Sequence, residues 1–381
     1  MRLATTQHLA YCTNIHRGED WEETLNNLDK YTLAVRERVC SQDEWYAIGL
    51  RLSAQAAFQL SDGKELLNFQ KWLEKNRCYV FTINGFPYGN FHGSRVKEKV
   101  YVPDWTTHER LEYTKTLFDI LVELLPSGLS GSVSTVPGSF KSFIRRSEQE
   151  EAIYRQISTC AQYIDKISKG SDLHLGLEPE PLGWIETVDE TKQFFERLRQ
   201  QLPEELWFRV GVNYDTCHMA IEYEDANQAI ETLHNEQIRL SKIHLSSALK
   251  LRPNQESIAH LQNFLDEVYL HQVIARDNEG GLTRYFDLDE ALLLSPEEYS
   301  NHEEWRIHFH IPLHTPDHPI LKNTSDHLLK VIYLLKENVS LCSHLEFETY
   351  TWEVLPQEMK SADVVEQLVA EYQWCLEKLK L

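Results

Sequence analysis

Four short apolar runs each end in side chains that can hold a cation or carry a proton. LHLGLEPEP reaches Glu178, with Glu180 two residues on. FRVGVNYDTCH ends at Asp215 and His218, SKIHLSS carries His244, and SHLEFETYTW carries Glu346 and Glu348. Mixed oxygen and imidazole donors suit Mn, Co, Fe, Zn or Mg. Carboxylates that converge in a partly buried mouth repel each other unless a cation sits among them. Taken singly, each residue has a plainer explanation. A Glu at a strand end caps or pairs, a lone His hydrogen-bonds, and Cys217 fills a small buried space. Taken in order, at the ends of four consecutive strands, they point to a divalent metal ion.

The elements that must position these residues alternate along the whole chain. Strands are predicted at Leu3–Tyr11, Trp45–Leu52, Tyr79–Ile83, Gly128–Thr135, Leu173–Leu177, Phe208–Tyr214, Ile238–Leu245 and Cys342–Glu348. Each is short, apolar and closed by Gly, Pro, Asn or a polar turn. Amphipathic stretches lie between them, such as EEAIYRQISTCAQYIDKI, DHLLKVIYLLKE and the closing ADVVEQLVAEYQWCLEKLKL. Asp104 is expected to cap a helix that starts at Trp105 and stops at Pro126. Eight strands interleaved with helices predict parallel β/α units closed into a (β/α)8 barrel, an α/β fold. In such barrels the working residues sit at the carboxyl ends of the strands, where these lie. An open doubly wound sheet is the competitor, weakened because no GxGxxG follows the first strand.

One interval breaks the rhythm. About a hundred residues separate the seventh and eighth strands, where a β/α unit needs roughly thirty. The excess contains a predicted helix, ESIAHLQNFLDEVYLHQVI, and hairpin-like stretches at GGLTRYFDL and RIHFHIPL. The expectation is one domain over residues 1–381, with an insertion at about 248–323 over the catalytic face and no second core.

Composition excludes several classes. The chain has 381 residues, 38 basic against 59 acidic, for a formal net charge of −21. Such an excess repels nucleic-acid phosphates and anionic lipid, and no dense Lys/Arg run offsets it. Seven cysteines, widely spaced and without CxxC, fit a reduced compartment. No signal peptide or membrane span is visible. The expectation is a cytoplasmic protein that meets a small polar metabolite, with no nucleic-acid partner and no membrane insertion. Homo-oligomerisation is left open.

The constellation resembles the xylose-isomerase-like superfamily of metal-dependent barrels, which includes sugar isomerases, ketose epimerases and apurinic endonucleases. DTCH at Asp215–His218 is similar to the family's sixth-strand motif, LEPEP to its fifth-strand Glu motif, and Glu348–Thr349 to its eighth. The resemblance implies metal ligands at Glu178, Asp215, His244 and Glu348. It implies a substrate or outer position for His218 in epimerases and a metal position in the nucleases. Over nearly the whole chain, HLAYCTNIHRGEDW, NGFPYGNFHG, LEPEPLGWIET, DTCHMAIEYED and HLEFETYTWEVLP look like EboE-type metabolite-traffic proteins, which are barrel members. The sequence departs from the sugar-isomerase pattern at His16 and Arg17, at His92 and Arg95, and at His308, His310 and His314. Alternate residues of a strand share a face, so His308 and His310 should point the same way. His16, His92, His310 and Arg276 join His218 as candidates for substrate binding or a second metal.

Three functions compete. In the first, a metal-dependent isomerase or epimerase acts on a polyol, sugar or cyclitol-like compound. The metal polarises a carbonyl and stabilises an enediolate, while Glu178 and Glu348, placed by the resemblance, remove and return a proton. In the second, a phosphodiesterase related to the apurinic endonucleases acts on a small phosphodiester, since the charge argues against DNA. In the third, the barrel binds and hands over a metabolite without turnover.

Overall fold

Residues that must be buried on both faces write near-continuous apolar strands, and eight such strands form the centre of the computed structural model. The structure describes all residues except Ala4, Thr5, Phe91, Gly93, Ser94, Asp317, His318 and Leu381. Parts of the predicted first strand, of NGFPYGNFHG and of the 248–323 segment therefore lie outside the described residues.

Strands are numbered along the chain. The central sheet contains β1 (His8–Tyr11), β2 (Tyr46–Arg51), β3 (Cys78–Asn84), β4 (Gly131–Thr135), β5 (Leu173–Leu177), β6 (Val210–Asp215), β7 (Arg239–Leu245) and β13 (His344–Phe347). Its order is β1-β13-β7-β6-β5-β4-β3-β2, and every pairing is parallel. A parallel bridge from Cys12 to Gly49 joins β1 to β2 and brings the two ends of the sheet together. The protein is a (β/α)8 barrel, with all eight strands where the sequence predicts them. Helices pack outside, each started by its own chemistry. Thr187, for example, begins Val188–Arg199 with a reciprocal capping box to Glu190.

The barrel interior is polar along its length. Thr82 meets Ser132 at 2.7 Å, and Lys242 donates to Ser134 at 3.0 Å. Gly49 is required here, because a Cβ would collide with the Glu346 carboxylate and the Tyr11 carbonyl.

Two local expectations are corrected. Asp104 is not the cap of the third-unit helix. That helix is His108–Leu124, capped by Thr107, whereas Asp104 is spent on Thr106 and Ser139. The stretch ESIAHLQNFLDEVYLHQVI is helical only over Gln255–Leu261, with a 3-10 turn to Phe264. Beyond it, the Asp266 carboxylate takes the amides of Val268 and Tyr269 at 2.8 and 3.0 Å and turns the chain.

Between β7 and β13 the chain builds a second sheet, from β8 (Leu249–Leu251), β9 (Val273–Asp277), β10 (Leu282–Tyr285), β11 (His302–Ile307) and β12 (Lys322–Asn323). It is antiparallel, in the order β10-β9-β11-β8-β12. Gly280, at φ +90°, turns the β9–β10 hairpin. Leu251, Phe264, Val273, Trp305, Ile307 and Phe309 belong to an apolar cluster separate from the barrel core, where the sequence reading expects one core only. Among the described residues, no helix is long and apolar enough to cross a membrane.

Candidate metal centre at the barrel mouth

Each of the four implied ligands stands at or just past the carboxyl end of its strand. Glu178 follows β5, Asp215 closes β6, His244 is the penultimate residue of β7, and Glu348 follows β13. All four are buried, and their ligand atoms lie within 4.8 Å of one another. His244 Nδ1 is the hub. It lies 2.8 Å from Glu178 Oε1, 3.4 Å from Glu348 Oε2 and 3.5 Å from Asp215 Oδ2.

The chain around each ligand leaves the useful atom open. Asp215 caps the helix Thr216–Ile221. Its Oδ1 accepts from the Cys217 amide (2.7 Å), the His218 amide (3.1 Å) and Ser246 Oγ (2.6 Å), while Oδ2 has no hydrogen-bond partner among the described residues. Asn14 and Asn84 donate to Glu348 Oε1 at 2.7 and 3.3 Å, which leaves Oε2 facing the hub. Glu178 Oε2 is likewise buried and unpartnered. On its far side, His244 donates Nε2–H to Glu346 Oε2 at 2.8 Å, and Lys242 donates to the same oxygen at 2.6 Å. Lys242 and Glu346 are both fully buried. A carboxylate behind a ligating imidazole fixes the ring and its tautomer.

Electrostatics show the same need for a cation. Burial pushes these acids up, and nearby positive charge decides the result. His244 and His310 bring Glu348 down to about 2. For Asp215, burial is outweighed by His218, His244 and His310, and it falls well below the usual range. Burial opposes charge on His244, yet Glu348 and Glu178 raise it well above an ordinary histidine. Glu180 goes the other way. Burial, with the neighbouring charges of Glu178, Asp215 and Glu348, raises it well above the carboxylate range. A buried cluster of acids around one imidazole, with Lys242 already paired to Glu346, fits a divalent ion. Ligands about 2.0–2.2 Å from one ion stand roughly 2.8–3.5 Å apart, the range seen around His244.

A cleft of at most about 560 Å³ opens beside this centre. Glu178, Glu180, His218, His308 and Glu348 reach its wall, while Tyr101, Tyr269, Tyr350, Phe86 and Leu270 give it an aromatic and apolar shelf. Among the described residues, its one Lys or Arg, Lys97, is paired with Asp287 at 2.6 Å.

The other candidates are distributed differently. His218, His308 and His310 come together beside Asp215. His16 is buried under Tyr11 and stacks on Tyr31, away from the cleft wall. His92 braces the Asn14 carbonyl and the Tyr269 hydroxyl from behind. Arg276 lies on β9 over Tyr223, 3.3 Å from Glu303, and does not line the cleft. Arg17 is at the surface with Glu353. Sequence reasoning missed Asn14, Asn84, Lys242 and Gln272. Lys242 had a signal, since a lysine two residues before His244 on the same strand shares its inward face.

No protein-family model matches this chain, and no curated protein matches it. Solved structures do. L-ribulose 3-epimerase is similar over 98% of this chain and 94% of that chain, at TM-score 0.53 and 11% identity. D-psicose 3-epimerase from Clostridium cellulolyticum H10, solved with D-tagatose, is similar over 97% of each chain, at 0.51 and 11%. A xylose isomerase domain protein from Alicyclobacillus acidocaldarius is similar over 98% of each, at 0.50 and 9%. At these identities the likeness concerns the fold alone, a (β/α)8 barrel.

Proposed function

We propose that the chain is a divalent-metal-dependent isomerase or epimerase acting on a small, uncharged, polyhydroxylated metabolite. The carrying observation is the four-ligand cluster of Glu178, Asp215, His244 and Glu348, in which Glu178 Oε1, Glu348 Oε2 and the unpartnered Asp215 Oδ2 converge on His244 Nδ1. The epimerase structures that share the fold support the same class. An ion held there supplies positive charge that polarises a substrate carbonyl and offsets the charge of an enediolate. Glu178 and Glu348 both face the hub, at 2.8 and 3.4 Å from His244 Nδ1, and take the two proton-transfer roles. Asn14 and Asn84 hold Glu348 in place. Glu180, on the cleft wall, meets a substrate hydroxyl. The shelf of tyrosines excludes water and packs on the carbon skeleton. A phosphorylated substrate fits poorly, because Lys97 is already neutralised and Arg276 lies elsewhere. In this reading, residues 1–381 are one domain, and the 248–323 segment roofs the mouth through Gln272 and His308.

The test is proton exchange. The Mn2+-loaded protein is incubated in D2O with unphosphorylated ketoses and cyclitol ketones. Deuterium should enter the carbon beside the carbonyl, and Glu178→Gln and Glu348→Gln should each abolish its uptake. Bound sugar without exchange would overturn the enzymatic reading and leave a metabolite-binding role. The three histidines beside Asp215 favour a second reading, hydrolysis of a small phosphodiester, which bis(4-nitrophenyl) phosphate tests in parallel.

A further inference from the structure

Away from the mouth, the second sheet borders another cavity, of about 440 Å³, which shares no lining residue with the cleft. It is bounded by the β8–β12 edge of that sheet, by the segment 311–316 and by the segment 359–361.

The wall is charged in one sense. His260, His314, Lys322 and Lys360 reach it, and among the described residues no Asp or Glu does. The chain carries 59 acidic residues against 38 basic, so this wall reverses the balance locally. Thr315 and Ser361 add hydroxyls.

Neither lysine is neutralised within the chain. Lys322 stands directly opposite Lys250 across the β12–β8 pair, and like charges so placed cost stability unless each is answered. Asp326 answers Lys250 at 2.8 Å. Among the described residues, Lys322 has no ion-pair or hydrogen-bond partner. Lys360 donates to the Glu353 carbonyl at 2.8 Å and lies 5.4 Å from the centroid of the Trp352 ring. A carbonyl and a ring face hold an ammonium in place without removing its charge, and two of its three N–H donors stay available. His314 has a buried Nδ1 without a hydrogen-bond partner among the described residues. Burial lowers its pKa, with no neighbouring carboxylate to oppose the shift.

The walls are also fixed relative to each other. Asn323 of β12 donates Nδ2 to the Thr315 carbonyl at 3.1 Å, and its Oδ1 accepts the Ser325 amide at 3.0 Å. A ligand entering here therefore meets a preformed surface. Ammonium groups and hydroxyls converging without an acid suit an anion with several acceptor oxygens.

From this lining we infer a binding site for a phosphoryl group, held by Lys322, Lys360 and His314 on the second sheet and outside the cleft. The phosphoryl group belongs either to a small phosphomonoester or to free phosphate. The site does not rest on the reaction proposed above.

The test is isothermal titration of the full chain at constant ionic strength, with glycerol 3-phosphate and with inorganic phosphate. Tighter binding of glycerol 3-phosphate assigns the site to a phosphomonoester, and equal binding assigns it to phosphate itself. Lys322→Gln and Lys360→Gln should each weaken binding by about tenfold or more, the worth of one charged hydrogen bond. Glu178→Gln, which alters the mouth, should leave it unchanged. Selenate, a tetrahedral oxyanion located by anomalous scattering, should give a peak beside Lys322 and Lys360 in soaked wild-type crystals. No binding of either phosphate, or equal affinity in wild type and both lysine variants, overturns the site. Affinity lost in Glu178→Gln but kept in the lysine variants overturns it in favour of the mouth. If a lysine variant fails to fold, the selenate map of wild type decides, and a peak at the mouth alone or no peak overturns the site.

Discussion

Lys242 and Glu346 form an ion pair with no solvent access beneath the proposed ligand His244, which makes a sharp prediction possible. Replacing Lys242 with Met keeps most of the stem volume and removes the charge. Glu346 then retains only His244, having lost a 2.6 Å partner. Breaking a buried pair from one side typically costs about 3–5 kcal/mol, because the surviving charge is desolvated and uncompensated. Lys242→Met is expected near 3 kcal/mol, since His244 still answers part of the charge. Glu346→Gln is expected nearer 4 kcal/mol, since it leaves Lys242 with Ser134 alone. The double variant removes both charges and should lose about 2 kcal/mol or more less than the sum of the singles. Urea unfolding of the four proteins measures this cycle. Glu346→Gln should also lower metal affinity by about 10- to 100-fold through the loosened His244 ring. Single losses under about 1 kcal/mol, or strict additivity, would refute the reasoning.

Three other outcomes follow. Burial raises the Glu371 carboxyl to about 7, although Thr349 and the Leu313 amide hydrogen-bond to it. The folded state therefore binds the extra proton between about 4.5 and 7, so this group's contribution is full below the unfolded value and lost as pH rises through 7. The full span is about 3 kcal/mol, and in Glu371→Gln the difference in unfolding free energy between pH 5 and pH 8 should shrink accordingly. Because Glu348 and Glu178 hold a proton on His244, metal binding must displace it. Affinity by isothermal titration should rise with pH, with proton release seen as a buffer-dependent enthalpy, and a pH-independent affinity would contradict His244 as a ligand. Arg276→Ala should leave kcat/KM for the substrate within about twofold, since the side chain pairs with Glu303 outside the cleft; a larger loss in steady-state kinetics would bring it back to the site.

The barrel was legible because its eight strands are buried on both faces and are therefore written as short apolar runs. The polar residues that interrupt those runs, Asp215, His244 and Glu348, stand out for the same reason. What lay hidden depends on distant chain segments meeting. Asn14 reaches Glu348 across 334 positions, and no local pattern foretells that. The helix after Asn254 was overcalled because its apolar spacing continues through Leu265, whereas Asp266 turns the chain with its own side chain. His308 and His310 do lie together as their spacing suggests, although they sit past the end of β11 rather than within it.

The second sheet has a consequence for inheritance. The four-ligand set is spread over β5, β6, β7 and β13, so no single exchange of chain can replace it. The roof, by contrast, is one continuous stretch with its own apolar cluster, entering and leaving between two neighbouring strands. Recombination or local drift within that stretch can change the second sheet while the proposed ligand set stays in place.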